Sequence, residues 1–301
     1  MKNIPLTHYL LIEGLNDKYR YFMFRELAAN GAENLVLSEE LLKQIYNADD
    51  PNAMLAKFKK EAKDAGLKFV DAHSPFGPHV DLNCPMADDR TKLLDMHKMS
   101  LACCNECEVD CITIHSGNPR FPGISLEEYQ NYVKASLEEL LPVAERYGVT
   151  ICLENIWFPT NTVKELVKYY EYFNSPYLGM CYDAGHANLV KCPNDNPEHP
   201  VNVGADLIKM KAEWNAEVLE QMLPYIVTCH LHDNDGLRDR HWTPFNGNID
   251  WEKTMKLLAQ APNLRCLQNE VILPGRDLNS SVHDMCRAFD KLLDIYNGNR
   301  K

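Results

Sequence analysis

Short apolar runs that end on a polar residue recur along this chain, and longer stretches with helical spacing lie between them. GLKFVDAH ends on His73, DCITIH on His115 and VTICLE on Glu154. GMCYDAGH ends on Asp183 and His186, YIVTCH on His230, and LRCLQNE on Glu270. Near-continuous apolar runs of this length read as strands covered on both faces, as in a parallel sheet. The pattern predicts strands at 6–12 (ending near Glu13 and Gly14), 34–37, 67–72, 109–114, 149–153, 178–182, 225–232 and 264–269.

The stretches between them carry helix signals. Tyr21, Phe24, Leu27 and Ala28 share one face of a helix at 17–30, which Gly31 stops. Ser38 caps the helix after the second strand, and Asp50 caps another that begins at Pro51 and ends at Gly66. Ser125 and Glu128 form a capping box before a helix that reaches Tyr147. Further helices are expected at 88–108, 162–173, 205–222, from about 250, and at 281–296. Strict alternation of strand and helix implies a parallel sheet. Eight such units predict an α/β fold, a single (β/α)8 TIM barrel over residues 1–301. A doubly wound sheet would want a Gly-rich phosphate turn after the first strand, and IEGLND is not one.

Composition narrows the class. Hydrophobic residues at 45% and charged residues at 25% suit a soluble globular protein with a substantial core. A net charge of −12 disfavours non-specific binding of nucleic acid, which needs clustered Lys and Arg. MKNIPLTHYLLIEG lacks the features of a signal peptide and no run reaches membrane-spanning length, so a cytoplasmic protein without a membrane partner is expected. The eleven cysteines are odd in number and not spaced as a disulfide framework, and the Cys104–Cys107 CxxC has no second pair to complete a zinc site. They read as reduced thiols. Cys111, Cys152, Cys181 and Cys266 share strand parity with His115, Glu154, Asp183 and Glu270, which places them as small fillers beneath a site. His8, His79, His97, His199 and His283 read as solvated or capping residues. The polar insertion NLVKCPNDNPEHPVNVG after the sixth strand is a candidate lid or subunit contact, and a homo-oligomer stays open.

Catalytic groups of a TIM barrel sit where its strands end. Glu154, Asp183, His230 and Glu270 come from the fifth to eighth strands, neighbours around half the ring. This mixed oxygen and nitrogen set suits a divalent metal (Mn, Zn, Co or Mg) rather than a thiolate-preferring ion. Three carboxylates crowded together would repel one another and raise their own pKa values, so a bound cation is expected. His232 has the parity of His230, and the sequence leaves open which of them is the ligand. Phe76, Trp157, Phe158, Trp242 and Phe245 read either as the apolar wall of a small-molecule pocket or as packing at the barrel rim.

The strings LEN with Glu154, YDAGH, HLHDN and DRHWTPFNGNIDW resemble the xylose isomerase-like TIM-barrel superfamily, from the third strand to the eighth. That group includes sugar and sugar-phosphate isomerases and epimerases, inosose dehydratases and endonuclease IV. The resemblance implies a metal held by Glu154, Asp183, His230 and Glu270, with His186 on substrate or on a further metal. The trinuclear zinc site of endonuclease IV is matched at His73, His115, Glu154, Asp183, His186, His230, Asp239, His241 and Glu270. The expectation is a metal-dependent sugar or sugar-phosphate isomerase or epimerase. It abstracts a proton next to a carbonyl through a metal-stabilised enediolate, with Glu154 and Glu270 as acid and base. A small carbohydrate is its substrate, with Arg238, Arg240 and Trp157 as further contacts, beside the scattered Arg120. The alternatives are an abasic-site endonuclease, an inosose-type dehydratase and a non-catalytic sugar-binding protein. Acidic, Pro-rich loops such as NDNPEHP argue against a DNA substrate.

Overall fold

Eight parallel strands form one sheet with the order β3-β2-β1-β8-β7-β6-β5-β4. They are β1 (Leu6–His8), β2 (Asn34–Leu37), β3 (Lys68–Ala72), β4 (Cys111–Ile114), β5 (Thr150–Glu154), β6 (Leu178–Asp183), β7 (Ile226–Leu231) and β8 (Leu267–Asn269). The seam between β3 and β4 is joined by a bridge from His73 to Thr113 and by the Ser74 N–H on the Thr113 carbonyl at 2.9 Å. The ring is therefore nearly closed, a TIM barrel. This computed structural model describes residues 4–9, 17–273 and 278–298. The expected end of the first strand around Glu13 and Gly14 lies outside the described residues.

Helices α1 (Asp17–Ala29), α2 (Glu39–Tyr46), α3 (Pro51–Asp64), α4 (Ala87–Glu106), α5 (Leu126–Tyr147), α6 (Val163–Phe173), α10 (Trp251–Leu258) and α11 (Leu278–Tyr296) cover the outside of the barrel. The anticipated caps form: Ser38 accepts from Leu41 N–H, Asp50 from Ala53 N–H, and Ser125 and Glu128 close their capping box. In α5 the buried stripe of Val133, Leu137, Leu140 and Ala144 seats the helix on the barrel, and each large side chain so buried contributes about 1.5–3 kcal/mol. Among the described residues no helix is long and apolar enough to cross a membrane.

Two expectations need correction around β6. The helix expected at 205–222 is split into α8 (Pro200–Asp206) and α9 (Val218–Met222). Lys209 takes a left-handed φ of 55°, and the chain at 207–217 crosses the surface as a loop. The second correction is α7 (Ala184–Val190), a short helix directly after β6. Its N-cap is Asp183, which accepts the His186 N–H at 2.6 Å. Both ends of the polar insertion are thus helical.

Inside the barrel, Cys111, Cys152, Cys181 and Cys266 gather with Val227, as parity implied, and all eleven cysteines are free. Beneath them the buried Asp71 carboxylate accepts from Thr228 Oγ1 at 2.6 Å, from the Cys266 and Cys111 thiols at 3.2 and 3.4 Å, and from Ala72 N–H at 2.8 Å. Those donors take the place of water around a buried carboxyl group. His8 and His97 are also buried, contrary to the solvated reading. Burial pulls both imidazoles down to about 4. His97 pins the loop after β3, bonding Ser74 Oγ at 2.7 Å and the Val80 carbonyl at 2.8 Å.

Candidate metal centre

The carboxyl ends of the strands bring ten of the expected residues into one buried cluster. Glu154 ends β5, and its Oε2 lies 3.1 Å from His115 Nε2, 3.4 Å from His230 Nδ1 and 3.7 Å from His73 Nε2. Its other oxygen is 3.0 Å from His186 Nδ1. On the far side, Glu270 Oε2 approaches the same His230 nitrogen at 3.3 Å, and Asp183 Oδ2 stands 3.8 Å from it. The third edge of the cluster is Asp239, with His241 Nε2 at 3.1 Å and His186 Nε2 at 3.6 Å.

Backbone carbonyls set how these rings face. His73 Nδ1 is 2.8 Å from Ser74 O, His186 Nδ1 is 3.0 Å from Asn155 O, and His241 Nδ1 is 2.8 Å from Glu270 O. A carbonyl only accepts, so each Nδ1 carries a proton and each ring turns its Nε2 edge into the cluster, where a neutral ring would offer a lone pair. A ring oriented in this way is what metal-binding histidines require. The site is also rigid. Asn155 clamps Asp183 through its backbone N–H and carbonyl, at 2.8 and 3.1 Å. His230 Nε2 rests 3.3 Å from Thr113 Oγ1.

Both histidines of HLHDN face inward. His230 sits between Glu154 and Glu270. His232 places its Nε2 3.1 Å from Asp183 Oδ2 and stacks on His241 with ring centroids 3.8 Å apart. Room for that ring comes from Gly185, where a Cβ would fall 2.0 Å from His232 Cε1. Gly185→Ala is expected to destabilise the fold by about 1–3 kcal/mol by forcing the ring aside. A melting temperature equal to wild type would show that the ring yields freely.

The loop DRHWTPFNGNIDW is fastened by Asp233, which sequence reading passed over. Its carboxylate takes Phe245 N–H at 2.9 Å, Ile249 N–H at 3.3 Å and the Trp251 indole N–H at 2.8 Å. His241 and Phe245 lie in this loop with φ of 48° and 73°. Left-handed conformations cost a non-glycine residue roughly 1–3 kcal/mol and persist where the surroundings enforce them. Tyr9 and Glu39 also went unnoticed. They form a buried hydroxyl–carboxylate hydrogen bond beside His73, whose ring meets Tyr9 edge-on at 5.6 Å.

Electrostatics overturn one expectation. Crowding was expected to raise the carboxylate pKa values, yet the interleaved histidines lower those of Glu154 and Glu270. Burial alone would raise Glu154, but the charges of His230 and His115 hold it well below its usual range. Glu270 is likewise penalised by burial and pulled down to about 2 by His230. The histidines move the other way. Despite burial, Asp239 lifts His241 to about 9, Asp183 and Asp239 push His186 upward, and Cys181 with Glu270 and Glu154 does the same for His230.

A cavity of about 360 Å³ opens over the cluster, lined by Phe76, Arg120, Trp157, Glu154, His186 and Glu270 among others. Arg238 and Arg240 are not among its lining residues. Both are exposed, and Arg240 lies over the Trp242 ring near Asp235. Trp242 and Phe245 belong to the loop behind the cluster, not to the cavity wall. The donor set fits a divalent cation. Among the described residues, buried His230 Nδ1 and Asp239 Oδ1 have no hydrogen-bond partner, and the groups His73–His115–Glu154, His73–His230–Glu270 and His186–His232–Asp239–His241 each bring their ligand atoms within 4.8 Å of one another. One such ion would satisfy several polar atoms at once.

Comparison with known proteins agrees with this architecture. An uncharacterised protein of Methanocaldococcus jannaschii is 26% identical over 220 residues, which is 68% of this chain and 64% of that protein. A D-psicose 3-epimerase structure superposes with a TM-score of 0.74 at 14% identity, covering 98% of this chain and 100% of the other. A D-tagatose 3-epimerase-like protein gives 0.72 at 18%, covering 98% and 99%. At such identities these likenesses establish the fold. The sequence profile of the xylose isomerase-like TIM barrel matches residues 24–265, and the chain belongs to that family.

Proposed function

We propose that the protein is a metal-dependent sugar isomerase or epimerase that moves a proton at the carbon next to a carbonyl. One observation carries this reading: Glu154 and Glu270 both approach one buried His230 nitrogen, and both line a cavity sized for a single small ligand. The epimerases named in two fold neighbours are consistent with it. Glu154, Asp183, His230 and Glu270 would hold the ion. Once bound, a divalent cation acts as a Lewis acid that polarises the carbonyl.

The remaining work belongs to the side chains. His230, His115 and His241 keep both glutamates ionised, so each is ready to accept a proton. Carboxylates held this low are weak bases and suit only a proton already acidified by a neighbouring carbonyl. One glutamate removes it and the other returns it. Return to the opposite face gives epimerisation, and return to the adjacent carbon gives isomerisation. His186 turns its Nε2 toward a substrate oxygen, while Phe76 and Trp157 exclude water from the face between the carboxylates.

The test is incubation of the metal-replete protein with aldoses and ketoses in D2O, read by NMR. Deuterium at the carbon next to the carbonyl, with a new epimer or isomer, is the expected result. Absence of exchange across the panel in protein that retains its metal removes the assignment. A second reading rests on the convergence of all nine positions matched to a trinuclear zinc site. Three zinc ions per chain with cleavage of abasic DNA would favour an endonuclease. The net charge of −12 argues against it.

A further inference from the structure

The chain between β6 and β7 builds a second cavity beside the first. Its volume is about 300 Å³, and it lies between the loop after β5 and the helices α7, α8 and α9. The two cavities share Ile156, Trp157 and His186 as a common wall. Val190, Val201 and Val218 give the second chamber apolar sides, and Trp214 stands against it with Lys164 and Glu213 near the rim.

The chamber is built in rather than left over. Trp214 packs on the His199 ring at a centroid distance of 5.2 Å. His199 caps α8 through Val201 N–H, and its Nε2 donates to the Gly236 carbonyl at 3.0 Å. That bond ties the chamber to the loop that carries Asp239 and His241. Trp157 stacks on Phe158 and meets His186 edge-on at 4.9 Å. Among the described residues no acceptor takes the indole N–H of Trp157 or Trp214, and neither Lys164 nor Glu213 belongs to an ion pair.

We propose that this chamber is a second sugar subsite, so that the substrate is a glycoside of at least two rings. The reacting ring lies over Glu154 and Glu270, and the far ring lies against Trp214 and Trp157. Each cavity falls at the small end of the roughly 300–1,000 Å³ range of ligand pockets, which suits one ring apiece. An indole face is electron-rich and attracts the C–H face of a pyranose, while the free indole N–H groups and the rim side chains meet its hydroxyls. An anionic tail such as phosphate is disfavoured, because the lining carries one acidic side chain, Glu213, for its one basic side chain, Lys164. Binding energy from a non-reacting ring can be used to orient the reacting one, which makes such a subsite useful to catalysis. This inference rests on the sugar reading of the adjoining site.

The experiment is calorimetric titration of the metal-loaded protein with cellobiose, maltose and lactose against glucose, galactose and fructose. At least one two-ring sugar is expected to bind tenfold or more tightly than its one-ring components. Trp214→Ala removes that margin, and Trp214→Phe, which keeps an aromatic face, retains most of it. Equal affinity for one and two rings, no binding of either, or a margin unchanged in Trp214→Ala overturns the proposal. A measurement without mutation covers the case of a misfolded variant. Oxidation of Trp214 by N-bromosuccinimide, mapped by mass spectrometry, is slowed by the two-ring sugar and not by one-ring sugars, and equal protection counts against the subsite. Deuterium exchange separates the two readings. Trp214-dependent two-ring binding without exchange keeps the subsite and removes the isomerase, whereas exchange into a monosaccharide with no two-ring margin does the reverse.

Discussion

Glu154→Gln and Glu270→Gln are each expected to slow deuterium exchange next to the substrate carbonyl by roughly 10²–10⁴-fold, with the barrel intact. Glutamine keeps the shape of the side chain but cannot accept the proton. The two variants should differ in metal content. Glu154 stands within 3.7 Å of four histidine rings, so its loss disturbs most of the cluster. Glu270 touches His230 and, at 3.9 Å, His241. Glu154→Gln should therefore lose bound metal more readily than Glu270→Gln. Exchange above one-tenth of the wild-type rate in either variant, at full metal occupancy, would remove that glutamate from the chemistry.

Stripping the metal is expected to give the protein a bell-shaped dependence of melting temperature on pH. On the alkaline side, His241 is held at about 9 when folded, against 6.5 unfolded. A group raised in this way adds stability that is complete below 6.5 and is lost as pH climbs through 9, on the order of 3 kcal/mol for this ring. On the acidic side, Glu270 is lowered from 4.5 to about 2. Its contribution is present above 4.5 and disappears as pH falls through 2. Maximum stability should then lie between about pH 5 and 6.5. Metal binding needs neutral imidazoles, so affinity rises with pH from 6.5 to 9 and the alkaline decline vanishes in loaded protein. Thermal melts with and without EDTA across about pH 2–10 check both limbs. A flat profile from pH 6 to 9 in the stripped protein would show that the histidines are not held in their charged form.

Much of the site was legible because strands covered on both faces have so few polar residues. Each buried run that stopped at Glu154, Asp183, His230 or Glu270 marked a position with no apolar purpose, and strand parity put the cysteines beneath them. The sequence could not show neighbours made by ring closure. Asp233 looks like any loop aspartate until Phe245, Ile249 and Trp251 turn back onto it. Tyr9 and Glu39 meet only because β1 and β2 end side by side. Helix α7 was missed because its cap, Asp183, already had a role as a ligand candidate.

The order of eight strand–helix units, their caps and the polar residue at each strand end are local facts, and the sequence alone determined them. They follow from periodicity and capping, which act within a few residues along the chain. Tertiary structure decided the rest. The Glu154 and Glu270 pKa values fall rather than rise because His115, His186, His230 and His241, from separate strands and loops, surround them. His230 and His232 both enter the cluster because Gly185 leaves space for a second ring. The chamber beside Trp214 exists because α8 folds back over the loop after β5. Each of these depends on distances between residues far apart in the chain, which only the closed barrel sets.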